Sequence, residues 1–275
     1  MSMTDTQFDY LCQFIRRESA IVLEPGKEYL VESRLGPVAR REGLASVGEL
    51  VQRLQVTRAA TLRAQIVDAM TTNETSFFRD SHPWQTLRET LLPQLIAARS
   101  SSKRLVVWCA ACSSGQEPYS LAMLLRDEFP DVATTWQVQI VATDISDAML
   151  ARAREGMFSQ LEVNRGLPAA MLARHFRRVG ASWQIGDDIR SMVQVRAANL
   201  DAPQTWAAVA GVDLVMMRNV LIYFDGPTKA KILEEVRRKM RSDGVLMLGS
   251  SETAVGVEHR FTRRQSGKTI YFVPR

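Results

Sequence analysis

Hydrophobic positions recur along this chain with two different periods, and the change between them falls near residue 100. In the first part the period is helical: Phe8, Leu11, Cys12 and Ile15 share one stripe, and Leu62, Ile66, Val67 and Met70 share another. Between these stripes, residues 29–41 are apolar on one side and basic on the other. From about Lys103, short apolar runs alternate with helical stretches. Residues 105–109 predict a strand leading into a polar, Gly-containing turn, and residues 118–129 predict a helix. Residues 138–143 predict a second strand, ended by Asp144 and followed by a helix rich in Ala and Arg. Residues 212–217 predict another buried strand. Asp225-Gly226-Pro227 then opens a helix, since Pro suits a first turn. That helix should run to about Met240, break at Ser242-Asp243-Gly244 and give way to a strand over residues 245–248.

Strand–helix alternation requires parallel strands with helical crossovers, so the expected fold is α/β with a doubly wound, mostly parallel sheet. It follows an N-terminal all-helical domain. Residues 176–195 depart from the alternation, with short β-like pieces punctuated by Gly180 and Gly186-Asp187-Asp188. They predict a small antiparallel β insertion. The expected domains are residues 1–80, helical with a linker, and residues 81–275, carrying the sheet and the insertion.

Composition narrows the setting. The chain has 275 residues, 46% hydrophobic and 24% charged, enough for two modest cores and without a disordered balance. No apolar run reaches the roughly 20 residues that span a bilayer. The N-terminus MSMTDTQFDY lacks the basic and apolar regions of a secretory signal. Three cysteines suit a reducing cytoplasm better than a disulfide framework. A net charge of +5 permits an acidic partner without demanding nucleic acid.

In an open α/β sheet, ligands bind beyond the carboxyl ends of the strands. The turn after the first strand reads Ala110-Ala111-Cys112-Ser113-Ser114-Gly115-Gln116-Glu117-Pro118. A pyrophosphate-binding turn needs three spaced glycines and this turn has one, which counts against a dinucleotide. Asp144, at the end of the second strand, stands where an acid grips ribose hydroxyls. Glu117 suits the positive end of a ligand. Each has a plainer reading: Asp144 as a helix cap, whose loss would cost only about 1 kcal/mol, and Glu117 as an ordinary first-turn acid. Trp108-Cys109-Ala110-Ala111-Cys112 also has the Trp-Cys-x-x-Cys look of redox proteins. The chain is much longer than that fold, and two cysteines with a distant His make no zinc site. No metal is expected.

Four longer motifs carry a resemblance. Thr71-Thr72-Asn73-Glu74-Thr75-Ser76-Phe77-Phe78-Arg79-Asp80 resembles the linker signature of the CheR family, the chemotaxis-receptor glutamate methyltransferases. Trp108 to Ser120 resembles that family's first turn, Ala142-Thr143-Asp144-Ile145 its second strand, and Arg218-Asn219-Val220-Leu221-Ile222-Tyr223-Phe224 its later one. Gly249-Ser250-Ser251-Glu252 fits its closing strand. The resemblance implies a sheet of the S-adenosylmethionine methyltransferase type and transfer of a methyl group from S-adenosylmethionine, leaving S-adenosyl-L-homocysteine. It further implies glutamate methyl esters on methyl-accepting chemotaxis receptors, made in the cytoplasm by a monomer that neither binds nucleic acid nor inserts in a membrane. By the same resemblance Asn73, Thr75 and Arg79 close over the cofactor and Glu117 contacts its methionyl end. Asp144 holds the ribose, Asn199 and Leu200 flank the adenine, and Arg218 and Asn219 lie near the transferring methyl. Arg79 and Tyr223 are the candidates for orienting the substrate carboxylate, with Arg79 open to serving the cofactor instead. Asn199 equally reads as a turn residue before Asp201-Ala202-Pro203. Phe77 and Phe78 read as packing between the two domains. Arg34, Arg40 and Arg41 are expected to dock an acidic receptor helix, although a charge-rich face is often only solvated.

A glutamate with a pKa of about 4.3 is ionised at neutral pH, so the reaction needs no general base and the absence of a His or Cys constellation is unsurprising. In some members of the family the β insertion tethers a receptor tail by strand addition, and those members share a loop extension. Here the turns at Gly180-Ala181 and Gly186-Asp187-Asp188 read as tight, so the expectation is direct recognition of the methylation helix. The competing readings are a methyltransferase of the same fold with another substrate, and a non-catalytic or redox module.

Overall fold

The computed structural model describes residues 3–254 and 256–275. The chain forms two compact units. One holds the described chain up to Thr72 together with Tyr223–Thr228, and the other holds Asn73–Ile222 and Lys229–Arg275.

The first unit contains four helices: α1 (Asp5–Ser19), α2 (Glu28–Arg41), α3 (Val47–Val56) and α4 (Ala60–Met70). A capping box starts α1, with Thr4 accepting from the Gln7 backbone and the Gln7 side chain accepting from the Thr4 backbone. The α1 stripe is buried as its period requires through Phe8, Leu11 and Ile15, while Cys12 is only partly covered. Leu62, Ile66, Val67 and Met70 are the buried face of α4. The short segment from Tyr223 joins this unit because its carbonyl accepts from Val22 N–H at 3.0 Å and Asp225 pairs with Arg16 at 2.5 Å.

The second unit is built on ten strands: β1 (Arg104–Ala110), β2 (Gln137–Asp144), β3 (Met157–Ser159), β4 (Phe176–Val179), β5 (Ser182–Ile185), β6 (Val193–Ala197), β7 (Val212–Met217), β8 (Met240–Leu248), β9 (Phe261–Ser266) and β10 (Thr269–Pro274). Seven form a doubly wound, mostly parallel sheet in the order β6-β2-β1-β7-β8-β10-β9. β1 and β7 are buried along nearly their whole length, as strands covered on both faces must be, and they read in sequence as apolar runs interrupted in β7 by Asp213, a buried acid bonded to Arg99 and to Val106 N–H. The β9–β10 hairpin is the antiparallel edge, and the adjacent Arg263 and Arg264 in β9 leave no alternation from which a strand could be expected.

Three strands form the small antiparallel sheet β3-β5-β4. Its limits differ from the expected 176–195: Met157–Ser159 supplies an edge strand, and Val193 onward leaves to pair with β2 as the edge of the main sheet. Gly180-Ala181 is the expected two-residue hairpin turn between β4 and β5. Gly186 instead opens a short helix, Asp187–Arg190, that leads into β6.

The boundary also differs. It falls at Thr72/Asn73 rather than near residue 80, because the linker signature packs onto the sheet domain. Phe77 is fully buried edge-on against Phe158 and Phe176, and Phe78 stacks edge-on against Trp84. These rings pack inside the second unit, not between the units. Gly166 is required there, since a Cβ would lie 2.0 Å from the Phe77 carbonyl oxygen.

Candidate functional site

The sheet changes winding direction between β1 and β7, which are neighbours although a hundred residues separate them. Registers align the carboxyl ends: Ala110 sits beside Thr143, Asp144 beside Ala197, and Met217 beside Leu248. Residues that follow β1, β2, β6, β7 and β8 therefore gather at one rim, where an α/β sheet binds its ligand.

Asp144 ends β2 and is only 7% exposed. Its Oδ2 accepts from Ser113 N–H at 2.7 Å and its Oδ1 from Ser146 N–H at 2.9 Å. The cap of the next helix, Asp147–Glu155, is Ser146, whose Oγ accepts from Met149 N–H. Asp144 is thus not the helix cap; it ties the turn after β1 to the turn after β2. Ser113 also donates through Oγ to the Asn73 carbonyl at 2.8 Å, which brings the linker to the same turn.

Glu117 lies in the first turn of the helix Gln116–Glu128, and its Oε2 accepts from Arg218 Nη1 at 3.0 Å. Burial pushes the Glu117 carboxyl above its ordinary value, while the charges of Arg218 and Arg79 pull it back. The Arg218 side chain is 2% exposed and also donates from Nη2 to Asp80 Oδ2 at 2.8 Å and to the Arg79 carbonyl at 3.1 Å. One guanidinium thus binds the acid after β1 and the linker at once, with planar geometry that a lysine lacks. Phe78 N–H donates to Ser120 Oγ, and Trp84 Nε1 donates to the Arg79 carbonyl. Arg79 itself donates from Nη1 to the Glu74 carbonyl at 3.1 Å, and Thr75 is half-buried beside it in the linker.

Asn219 follows β7 with φ +60°, and its N–H donates to Glu252 Oε2 at 2.7 Å. Its Oδ1 is buried without a hydrogen-bond partner. Phe78 and Asp80 in the linker and Ala111 and Ser113 after β1 also have positive φ, between 46° and 68°. Each such residue costs on the order of 1–3 kcal/mol, and such strain concentrates at functional sites.

The remaining expected residues divide. Asn199 makes an Asx turn, with Oδ1 accepting from Asp201 N–H at 3.0 Å, and its carbonyl accepts from Trp206 Nε1; Leu200 beside it is buried. The turn reading of Asn199 therefore holds, without deciding the adenine contact. Tyr223 closes the turn Leu221–Tyr223 and belongs to the first unit. Arg34 donates to the Met70 and Thr71 carbonyls and to Thr72 Oγ1, satisfying the end of α4. Arg40 and Arg41, near the end of α2, are exposed.

The redox reading fails. Cys109 and Cys112 are buried as free thiols, and burial pushes both well above the ordinary value, the reverse of an activated thiolate. His82 faces Thr269 Oγ1 and His175 faces Asp127, so neither joins the rim. Among the described residues no cluster of His, Cys, Asp or Glu is arranged to hold a metal ion. Sequence reasoning gave no role to Ser113, Asp80 or Glu252; all three were visible only as letters inside quoted motifs.

A doubly wound sheet with a buried acid at the end of β2, another acid in the turn after β1 and one glycine in that turn is the arrangement of the S-adenosylmethionine-dependent methyltransferase class. The chain belongs to the CheR methyltransferase family: residues 73–270 match its SAM-binding domain and residues 6–71 its all-alpha domain. It is 44% identical over 276 residues to chemotaxis protein methyltransferase 1 of Pseudomonas aeruginosa, covering 99% of each chain. It is 39% identical to chemotaxis protein methyltransferase Cher2 of Pseudomonas putida, again over 99% of each. Identity to chemotaxis protein methyltransferase 1 of Vibrio cholerae is 36%, covering 95% of this chain and 94% of that one. The rim fits S-adenosylmethionine: it offers carboxylates to hydroxyl and cationic groups and an unmatched buried acceptor on Asn219, and presents no phosphate cradle.

Proposed function

We propose that this chain methylates glutamate side chains on the cytoplasmic domains of chemotaxis receptors, giving γ-methyl esters. The observation that supports this most is end-to-end likeness to chemotaxis protein methyltransferases, helical domain included. When bound, S-adenosylmethionine supplies a methyl group on a cationic sulfur. The acceptor carboxylate is already ionised at neutral pH, so no side chain has to remove a proton. That agrees with a rim where Cys109 and Cys112 are buried and Arg218 is paired with Asp80 and Glu117.

In this reading Asp144 holds the ribose, Glu117 the cationic methionyl end, and Asn73, Thr75, Asn199, Leu200, Arg218 and Asn219 complete the cofactor's surroundings. The linker excludes water over the rim, which strengthens the attraction between a cation and an anion that neutralise each other in the transition state. Arg79 and Tyr223 orient the incoming carboxylate. Docking of the acidic receptor helix falls to Arg40 and Arg41, because Arg34 is committed to the end of α4. The two-residue turn at Gly180-Ala181 leaves the small sheet without a loop extension, which favours recognition without a receptor-tail tether. The test is transfer of labelled methyl from S-adenosylmethionine to purified receptor cytoplasmic domains. Base-labile label, lost when the target glutamates are changed to alanine, is expected; stable label or none would overturn the reading.

A further inference from the structure

We infer that Glu252 is a positioning residue for methyl transfer, acting through the Asn219 turn. Its side chain reaches from the loop after β8 back to the end of β7. There Oε2 accepts from Asn219 N–H and Gly249 N–H, both at 2.7 Å, and Oε1 accepts from Ile222 N–H at 3.3 Å. The residue is 8% exposed, so this is a buried carboxylate neutralised by three backbone donors instead of a cation.

Each donor has a separate consequence. Asn219 has a positive φ, which asparagine tolerates better than other side-chain-bearing residues, and the bond to Glu252 holds its N–H in that turn. Gly249 leaves room for the carboxylate: a Cβ there would lie 2.6 Å from Glu252 Oε2, 2.9 Å from Asn219 N and 3.0 Å from Asn219 Nδ2. Ile222 begins the approach to Tyr223, so the same carboxylate fixes both ends of the stretch 219–222. Held this way, Asn219 keeps its Oδ1 buried and unpaired, an acceptor waiting for a donor that a cationic ligand supplies. The charge of Glu252 is also felt at Glu117, where it opposes ionisation. Glu252 therefore adds negative potential to the rim in addition to shaping it.

The assignment rests on methyl transfer as proposed above and is tested on the full chain, with wild-type receptor methylation as the control that the activity itself is present. In Glu252→Gln the amide must turn its NH2 towards one of the donors it replaces. The expected result is a kcat lower by about tenfold or more, with S-adenosylhomocysteine affinity by calorimetry kept within about threefold. The Asn219 amide resonance, expected downfield in the wild type because of its 2.7 Å bond to a carboxylate, should move upfield. An unchanged kcat and an unmoved amide in the folded variant would overturn the inference. A parallel loss of kcat, cofactor affinity and melting temperature would do so too, since it would show a merely structural role. Should Glu252→Gln fail to fold, Gly249→Ala asks the same question by displacing the carboxylate: a lower kcat with ligand affinity kept supports the assignment, and wild-type kcat overturns it.

Discussion

Replacing Asp144 by asparagine removes a charge and turns one acceptor into a donor while leaving the volume nearly unchanged. In the structure both carboxylate oxygens receive backbone N–H groups, from Ser113 at 2.7 Å and Ser146 at 2.9 Å. Whichever way the amide turns, one of those donors faces an NH2. A buried donor left unmet costs about 1–3 kcal/mol. For a domain of this size each kcal/mol lowers the melting temperature by about 2–4 °C. The figure of about 1 kcal/mol expected for a helix cap is therefore too small, because Ser146 does the capping. Cofactor affinity should suffer separately: a hydrogen bond to a charged group contributes about 1.5–3 kcal/mol. Its loss weakens binding roughly 10- to 150-fold. Calorimetric titration with S-adenosylhomocysteine, beside thermal melts without ligand, reads both effects, and Asp144→Ala, which frees both donors, should melt lower still. A folded Asp144→Asn protein with wild-type affinity would refute the ribose assignment, and an unchanged melting temperature would refute the structural one.

Three other perturbations test the rest of the reading. Burial raises the Glu117 carboxyl above its ordinary value, so it takes up a proton at higher pH than a free glutamate does. A bound cation favours the ionised form, so S-adenosylmethionine affinity should climb as pH rises through that raised value and then level off; a flat or falling profile would separate Glu117 from the methionyl end. Reversing Arg40 and Arg41 to Glu should slow receptor methylation by about tenfold at low salt with cofactor binding intact, and equal rates would mean that the face is only solvated. The wild-type rate should also fall with salt, since exposed charges are screened over about 10 Å at 0.1 M. Full-length and tail-truncated receptors should be methylated equally, whereas binding of an isolated tail peptide with slower methylation after truncation would reveal a tether.

What the sequence conveyed depended on how local the cause was. β7 was legible to the residue, because a strand buried on both faces is apolar on both, and the single acid in it, Asp213, does not break the run Leu214–Met217. The helix Gly226–Lys239 was marked by its own opening proline, but the break expected at Ser242-Asp243-Gly244 is absent: β8 begins at Met240 and runs through those residues. By contrast, β9 and β10 pair only with each other and with β8, and Arg263 and Arg264 on an exposed edge gave no alternation to read. The place of β6 was misjudged because its polar residues resemble those of the small sheet it follows; only pairing with β2 distinguishes them. Within the site, Asp144 and Glu117 were found because strand-end position is visible in sequence. The reach of Arg34 to the end of α4 and of Glu252 to Asn219 span about 36 and 33 residues, and no periodicity reports such contacts.

The charges around the rim also bear on how the reaction is controlled. Asp80, Glu117, Asp144 and Glu252 bring four carboxylates to the neighbourhood of Arg218 and Arg79, so the cradle is acid-rich. Such a cradle attracts a cationic cofactor and repels the anionic side chain proposed as its methyl acceptor. The conflict is eased from two sides. Backbone N–H groups neutralise Asp144 and Glu252 in place of mobile cations, and Arg218 spends its charge on Asp80 and Glu117. Arg79 is different: among the described residues its guanidinium donates to the Glu74 carbonyl and makes no ion pair, although its charge reaches the Glu74 and Glu117 carboxyls. That leaves it freer than Arg218 to meet an incoming carboxylate, which separates its proposed role from that of Arg218. On that reasoning Arg79→Lys, which keeps the charge and loses the fork, should retain more methylation than Arg79→Gln, and equal losses in the two would assign Arg79 to shape instead of charge.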